Sequence, residues 1–187
     1  MTFRFPKGVI PAPGLVKPGG LLTRFAGSGG GGIPGDVLNF SGPQTFNGSN
    51  GLDAEDGTVQ FGTRPFTLLM DVEFTAAGTT QTIFNKFNSA ANKRTIALRH
   101  LAPNHLQMLY STNGVAFASL SFGAGAVGNE RMSIELSRAG NTFTLIKNGG
   151  TLDTDVAAID LHESDSPMRL GAGLIGTIYS ASLVFND

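Results

Sequence analysis

Between residues 66 and 74, Phe66, Leu68, Met70, Val72 and Phe74 alternate with Thr67, Leu69, Asp71 and Glu73. The same period of two returns where Met132, Ile134 and Leu136 are set between Arg131, Ser133, Glu135 and Ser137. Successive side chains of a strand point to opposite faces, so each run makes a strand with one buried face and one mostly polar face. A period of two cannot also serve a helix, which makes this pattern the tightest constraint on the fold. Further strand-like runs lie at 82–87, 95–100, 106–111, 115–122, 142–147, 152–157 and 178–185. No long stretch carries the 3.6-residue period, and residues 155–163 are expected to give at most one turn of helix.

Turn residues fall between the runs. Asn113-Gly114 separates 106–111 from 115–122, and Asn148-Gly149-Gly150 separates 142–147 from the next run. Asn-Gly accepts the positive φ angles of two-residue hairpin turns, so both are predicted to be hairpins, and Ala139-Gly140-Asn141 serves similarly. Short strands at this density close a core between two inner faces. The chain is therefore expected to be all-β, a two-sheet antiparallel jelly-roll sandwich, with no segment apolar enough for membrane insertion as a helix. At 187 residues it suits one domain, and with no cysteine it is not stapled by disulfides.

Residues 1–35 differ from the rest. They hold ten of the 26 glycines, five of the nine prolines, four cations and no acid. The remaining nine Lys/Arg and fourteen Asp/Glu leave residues 36–187 at a net −5, which argues against a nucleic-acid partner. A segment so rich in Gly and Pro lacks the means to order itself. Yet Phe3, Phe5, Leu15, Val16, Leu21, Leu22 and Phe25, with Arg4, space apolar anchors along it. It is expected to be an extended anchoring arm that binds a partner chain, the alternative being an arm folded back on its own domain. Its prolines break any apolar core of an export signal, so synthesis without signal-peptide secretion is expected.

The residues that carry chemistry are sparse. Asp71 and Glu73 share a strand face, as glycosidase carboxylates do, but no third carboxylate extends the pattern. Asp53, Glu55 and Asp56 read as solvated turn residues, and His100, His105 and His162 as surface or strand-end imidazoles. Asp153, Asp155, Asp160 and Asp165 match no calcium-loop spacing. No catalytic residue, metal or cofactor is assigned. For sugar recognition the candidates are Asn47, Asn50, Tyr110 and Asn113, an aromatic beside amide-bearing loops.

Several motifs together resemble the concanavalin A-like, laminin-G-like jelly-roll superfamily. They are Phe46-Asn47-Gly48-Ser49-Asn50-Gly51 before Phe66-Thr67-Leu68, then Leu109-Tyr110-Ser111-Thr112-Asn113-Gly114, then Thr142-Phe143-Thr144-Leu145-Ile146-Lys147-Asn148-Gly149. Gly171-Ala172-Gly173 and Gly176-Thr177-Ile178-Tyr179-Ser180 close the series. The resemblance covers 36–187 and implies two curved sheets, with the last strand returning beside the first strands of the domain. Such modules also occur in bacteriophage virion proteins. The expected function is a virion structural protein (capsid decoration, head fibre or tail component), homo-oligomeric and held to other virion proteins by the arm. A carbohydrate-binding adhesin for host-surface glycans is the alternative, with a glycoside hydrolase less favoured.

Overall fold

The computed structural model describes residues 21–22, 36–55, 58–103, 105–122 and 128–186. Of the expected anchors, Phe3, Arg4, Phe5, Leu15, Val16 and Phe25 lie outside the described residues. In chain order the strands are β1 (Leu21–Leu22), β2 (Asp36–Asn47), β3 (Leu52–Glu55), β4 (Phe66–Phe74), β5 (Gln81–Asn88), β6 (Lys93–Leu101), β7 (His105–Tyr110), β8 (Ala118–Phe122), β9 (Arg131–Ala139), β10 (Thr142–Lys147), β11 (Gly150–Val156), β12 (Met168–Leu170) and β13 (Ile175–Phe185). They form a seven-stranded sheet, β1-β2-β13-β4-β9-β10-β11, facing a six-stranded sheet, β3-β12-β5-β6-β7-β8. All the described strand pairs are antiparallel. This is the expected jelly-roll-like sandwich, and β13 does return between β2 and β4.

The alternating runs put their apolar halves where expected. Phe66, Leu68, Met70, Val72 and Phe74 of β4 meet Met132, Ile134 and Leu136 of β9 on the inner face, all buried. Phe84, Leu98, Met108 and Leu120 line up across the opposing sheet as one buried cross-strand row. Between the sheets, Phe61 packs edge-on against Phe66 and Phe185, at 5.2 and 5.4 Å between ring centres. Each fully buried aromatic of this kind contributes about 2–3 kcal/mol by leaving water. Buried polar groups tie the ends of the sandwich to its loops. Arg138 donates to the Gly62 and Ile159 carbonyls, Lys86 to the Ser166 carbonyl at 2.6 Å, and Gln81 to the Ala76 carbonyl at 2.7 Å.

Several expectations need correction. Asn148 and Gly149 do make a two-residue hairpin turn at φ 51° and 77°. Asn113-Gly114 does not, because β7 ends at Tyr110, which pairs with Ala118 across a longer loop. In that loop the Asn113 side chain gathers the Val115 and Ala116 amides at 2.9 and 3.1 Å, which stops the strand from starting at 115. Residues 155–163 form no helix: β11 continues to Val156 and Leu161 then bridges to Gly62. Among the described residues a 3-10 turn occurs instead at Ser89–Ala91. Asp53 is not a loop residue but sits in β3, paired with Arg169 at 2.7 Å. His100 is not at the surface, since β6 turns it into the core against Phe74. Among the described residues no helix is long and apolar enough to cross a membrane.

The longest strand, β2, escapes the sequence pattern because Gly42-Pro43 interrupts it. Between the Ser41–Ser180 and Gln44–Ile178 pairs, β2 carries two extra residues and β13 one, Tyr179. A proline has no N–H to give a ladder, and a bulge is where a strand tolerates one. A bulge also re-aims side chains.

Candidate functional site

The register of the seven-stranded sheet builds one site directly. Ser41, Ser180, Asp71 and Ser133 stand side by side across β2, β13, β4 and β9. Two residues further along, Asn39, Ser182, Leu69, Glu135 and Ile146 make a parallel rung that reaches β10. The intervening rung, Phe40, Ala181, Met70 and Ile134, turns its side chains into the core and leaves backbone as the floor. Together these residues line an open depression of about 560 Å³ on the sheet's outer face.

Two properties of this face bear on what it could bind. Leu69 is 44% exposed at mid-strand, with half-buried Ile146 on the same rung. Around it, the side chains of Asn39, Ser41, Ser133, Glu135, Ser180 and Ser182 form no hydrogen bond or ion pair among the described residues. An apolar centre is thus ringed by unengaged donors and acceptors.

At Asp71 the depression adjoins a charged cluster whose members are engaged with one another. Arg131 donates from Nε and Nη2 to the two carboxylate oxygens of Asp71, at 2.9 and 2.6 Å. Its guanidinium also lies over the Tyr179 ring, 3.7 Å from the ring centre. Tyr179, the extra residue of the β13 bulge, donates its hydroxyl to Glu73 at 2.6 Å. The Asp71 hydrogen bond raises the Arg131 pKa above its ordinary value. The bond to Glu73, with partial burial second, raises that of the Tyr179 phenol. Asp71 and Glu73 do share a face, but each already holds a partner.

The residues named for sugar binding fall elsewhere and apart. Asn47 pairs with Ile175, at the end of the sandwich that also holds Gln81 and His100. Tyr110 and Asn113 lie at the other end, since β7 runs away from the Leu101–His105 pair. The two asparagines of the first pair close their own turn. Asn47 Oδ1 accepts from the Ser49 and Asn50 amides, and Asn50 Oδ1 from the Asn47 amide. Asn113 is similarly committed, and with Tyr110 it lines a small dent of about 140 Å³. Leu21 and Leu22 pair through their backbones with Ser41 and Phe40, at the β2 edge of the depression. Asp165 pairs with Lys93, which holds its carboxyl below the usual range. Among the described residues no three His, Asp or Glu side chains gather as metal ligands do.

Sequence reasoning had the polar halves of β4 and β9 but gave them no role. It missed Asn39, Ser41, Ser180 and Ser182 altogether. The run 178–185 carried a signal, two outward serines flanking Ala181, but its neighbours in the sheet come from distant segments.

No family model matches the chain, and no curated protein does. Among solved structures it is similar to the CBM40 carbohydrate-binding domain of a Ruminococcus gnavus sialidase bound to α2,3-sialyllactose. The TM-score there is 0.54 at 15% identity, covering 80% of this chain and 91% of that one. It is also similar to a leech intramolecular trans-sialidase, with TM-score 0.54, 15% identity and coverage of 81% and 26%. A third is botulinum neurotoxin type C, described as entering cells through two ganglioside molecules, with TM-score 0.54, 11% identity and coverage of 79% and 39%. At these identities the likeness is one of fold.

Proposed function

We propose that this chain is a carbohydrate-binding, adhesin-like module that takes its sugar on the outer face of the seven-stranded sheet. The observation that carries this reading is the pair of outward rungs, with an exposed leucine set among six side chains that have no hydrogen-bond partner among the described residues. A sugar ring offers C–H faces bordered by hydroxyls, so it suits an apolar patch with convergent polar groups. Four strand spacings of about 4.8 Å separate β2 from β10, giving roughly 19 Å, room for more than one ring. The fold likeness to a module that holds sialyllactose and to a ganglioside-dependent toxin supports a glycan-binding use of the sandwich. Binding without bond cleavage is the reading for Asp71 and Glu73, because a glycosidase pair needs carboxyl groups free to meet the substrate.

A virion part displaying this module through an N-terminal arm would be one setting for it. The composition of residues 1–35 favours that setting, and homo-oligomers on a particle would belong to it. The pairing of Leu21 and Leu22 with this chain's own β2 weighs toward an arm that packs at home. Sugar binding therefore stands first.

A printed oligosaccharide array, followed by calorimetry on the best ligand, tests the proposal. Ser182→Arg would fill the depression from an outward position and is expected to lower affinity at least about tenfold while the protein stays folded. Absence of binding across the array, or an S182R protein that binds like wild type, would overturn it.

A further inference from the structure

We infer that the depression selects glycans without an acid group, and that Glu135 sets the preference. This rests on the sugar-binding reading above. Two ionisable residues line the depression among those described, Asp71 and Glu135, and both are carboxylates. Beside them on the same face stands Glu73.

An acidic sugar needs a cation free to meet it. Arg131, on the same face, is committed through two N–H groups to Asp71 and lies flat on Tyr179. Drawing it toward a sugar carboxylate would strand Asp71. It would also bring the incoming charge beside Asp71, Glu73 and Glu135. Like charges set together discriminate against a partner without any added contact to its rival.

Glu135 plays the complementary part. Its carboxylate has no hydrogen bond or ion pair among the described residues, and it sits between Leu69 and Ile146 on one rung. An ionised carboxylate only accepts, and sugar hydroxyls donate. Such charge-assisted bonds are roughly twice as strong as neutral ones. The serines and Asn39 opposite can serve the remaining hydroxyls. A neutral hexose chain brings no charge to this face, whereas a sialylated one sets its acid against Asp71 and Glu135.

The test is an array that prints neutral oligosaccharides beside their sialylated counterparts, read at two salt concentrations. The wild-type protein should bind the neutral member of each pair at least about tenfold better. Glu135→Gln should weaken neutral binding and narrow that ratio, and Glu135→Lys should narrow it further. Raising salt should strengthen whatever sialylated binding remains and leave neutral binding unchanged, because screening weakens repulsion. That readout needs no variant. Equal or better binding of sialylated glycans by wild type would overturn this inference and leave the sugar-binding reading standing. No binding to either member of any pair would overturn both.

Discussion

The outer face of the seven-stranded sheet and the loop at 111–117 are made from the same polar residue types, yet they behave oppositely. In the loop, Ser111 Oγ accepts from the Gly114 amide at 2.9 Å and Asn113 Oδ1 takes the two amides that follow. On the sheet, the serines at 41, 133, 180 and 182 have backbones already paired in ladders, so their hydroxyls are left over. A loop backbone must find hydrogen-bond partners somewhere, and nearby Asn and Ser side chains are the nearest. Among the described residues the unpartnered hydroxyls of this chain therefore include those on strands, where the backbone makes no such demand.

The sharpest way to break that comparison is at Gly114. It sits at φ 76°, and a Cβ there would collide with the Asn92 carbonyl and the His162 ring. Gly114→Val is expected to cost about 3 kcal/mol or more through strain and overpacking, read as a lower urea midpoint. The folded fraction should bind sugar as before, because the depression lies on the opposite sheet. A Gly114→Val protein that stayed stable but lost binding would reverse the roles assigned to the two regions.

A second effect lies in the interior. His100 is buried on the inner face of the six-stranded sheet, with Nδ1 3.1 Å from the Thr79 carbonyl and no hydrogen-bond partner for Nε2 among the described residues. Burial lowers its pKa below the ordinary 6.5. The Thr79 and Pro103 backbone contacts oppose this, and nearby His105 adds to it. In the unfolded chain the imidazole titrates near 6.5. As pH falls from about 6.5 toward the folded-state pKa, the unfolded chain takes up a proton that the folded one refuses, so stability declines across that window. Below the folded-state pKa this contribution stops changing. Urea midpoints taken between pH 7 and 5 should drop for wild type and flatten for His100→Gln. An unchanged slope would assign the acid limb to another group.

How much of this could be read from sequence depends on what each feature requires. The alternation at β4 and β9 needs no partner to be seen, and it gave those strands and their buried halves directly. Strand β2 was hidden because Gly42-Pro43 breaks its period, although the bulge they form is what aligns Ser41 with Ser180. Asn47 and Asn113 drew attention as sugar ligands because amides in loops look available. Their engagement becomes visible only once the turns are closed. The site itself joins side chains from residues 39 to 182, and nothing in the local pattern says that β13 lies between β2 and β4. His100 follows Ile96 and Leu98 at alternate positions of β6, a hint of burial that outweighs its polarity.

The smallest expected effect is the most discriminating one. Among the described residues beside the depression, Arg131 is the cation that an acidic ligand would meet, and its side chain is 55% exposed. If it served as the ligand's counter-charge, Arg131→Met would abolish binding. If it serves Asp71, its removal frees one more carboxylate in an already acidic depression and touches no neutral sugar. The variant should then lower the melting midpoint only modestly, because the pair is bidentate but its arginine is half-exposed. Its affinity for a neutral glycan should change by less than about threefold, and binding of the sialylated partner should fall further. Calorimetry on the two glycans separates the cases, because loss of neutral binding in Arg131→Met would place the guanidinium in the site and return Asp71 to the role of a bystander.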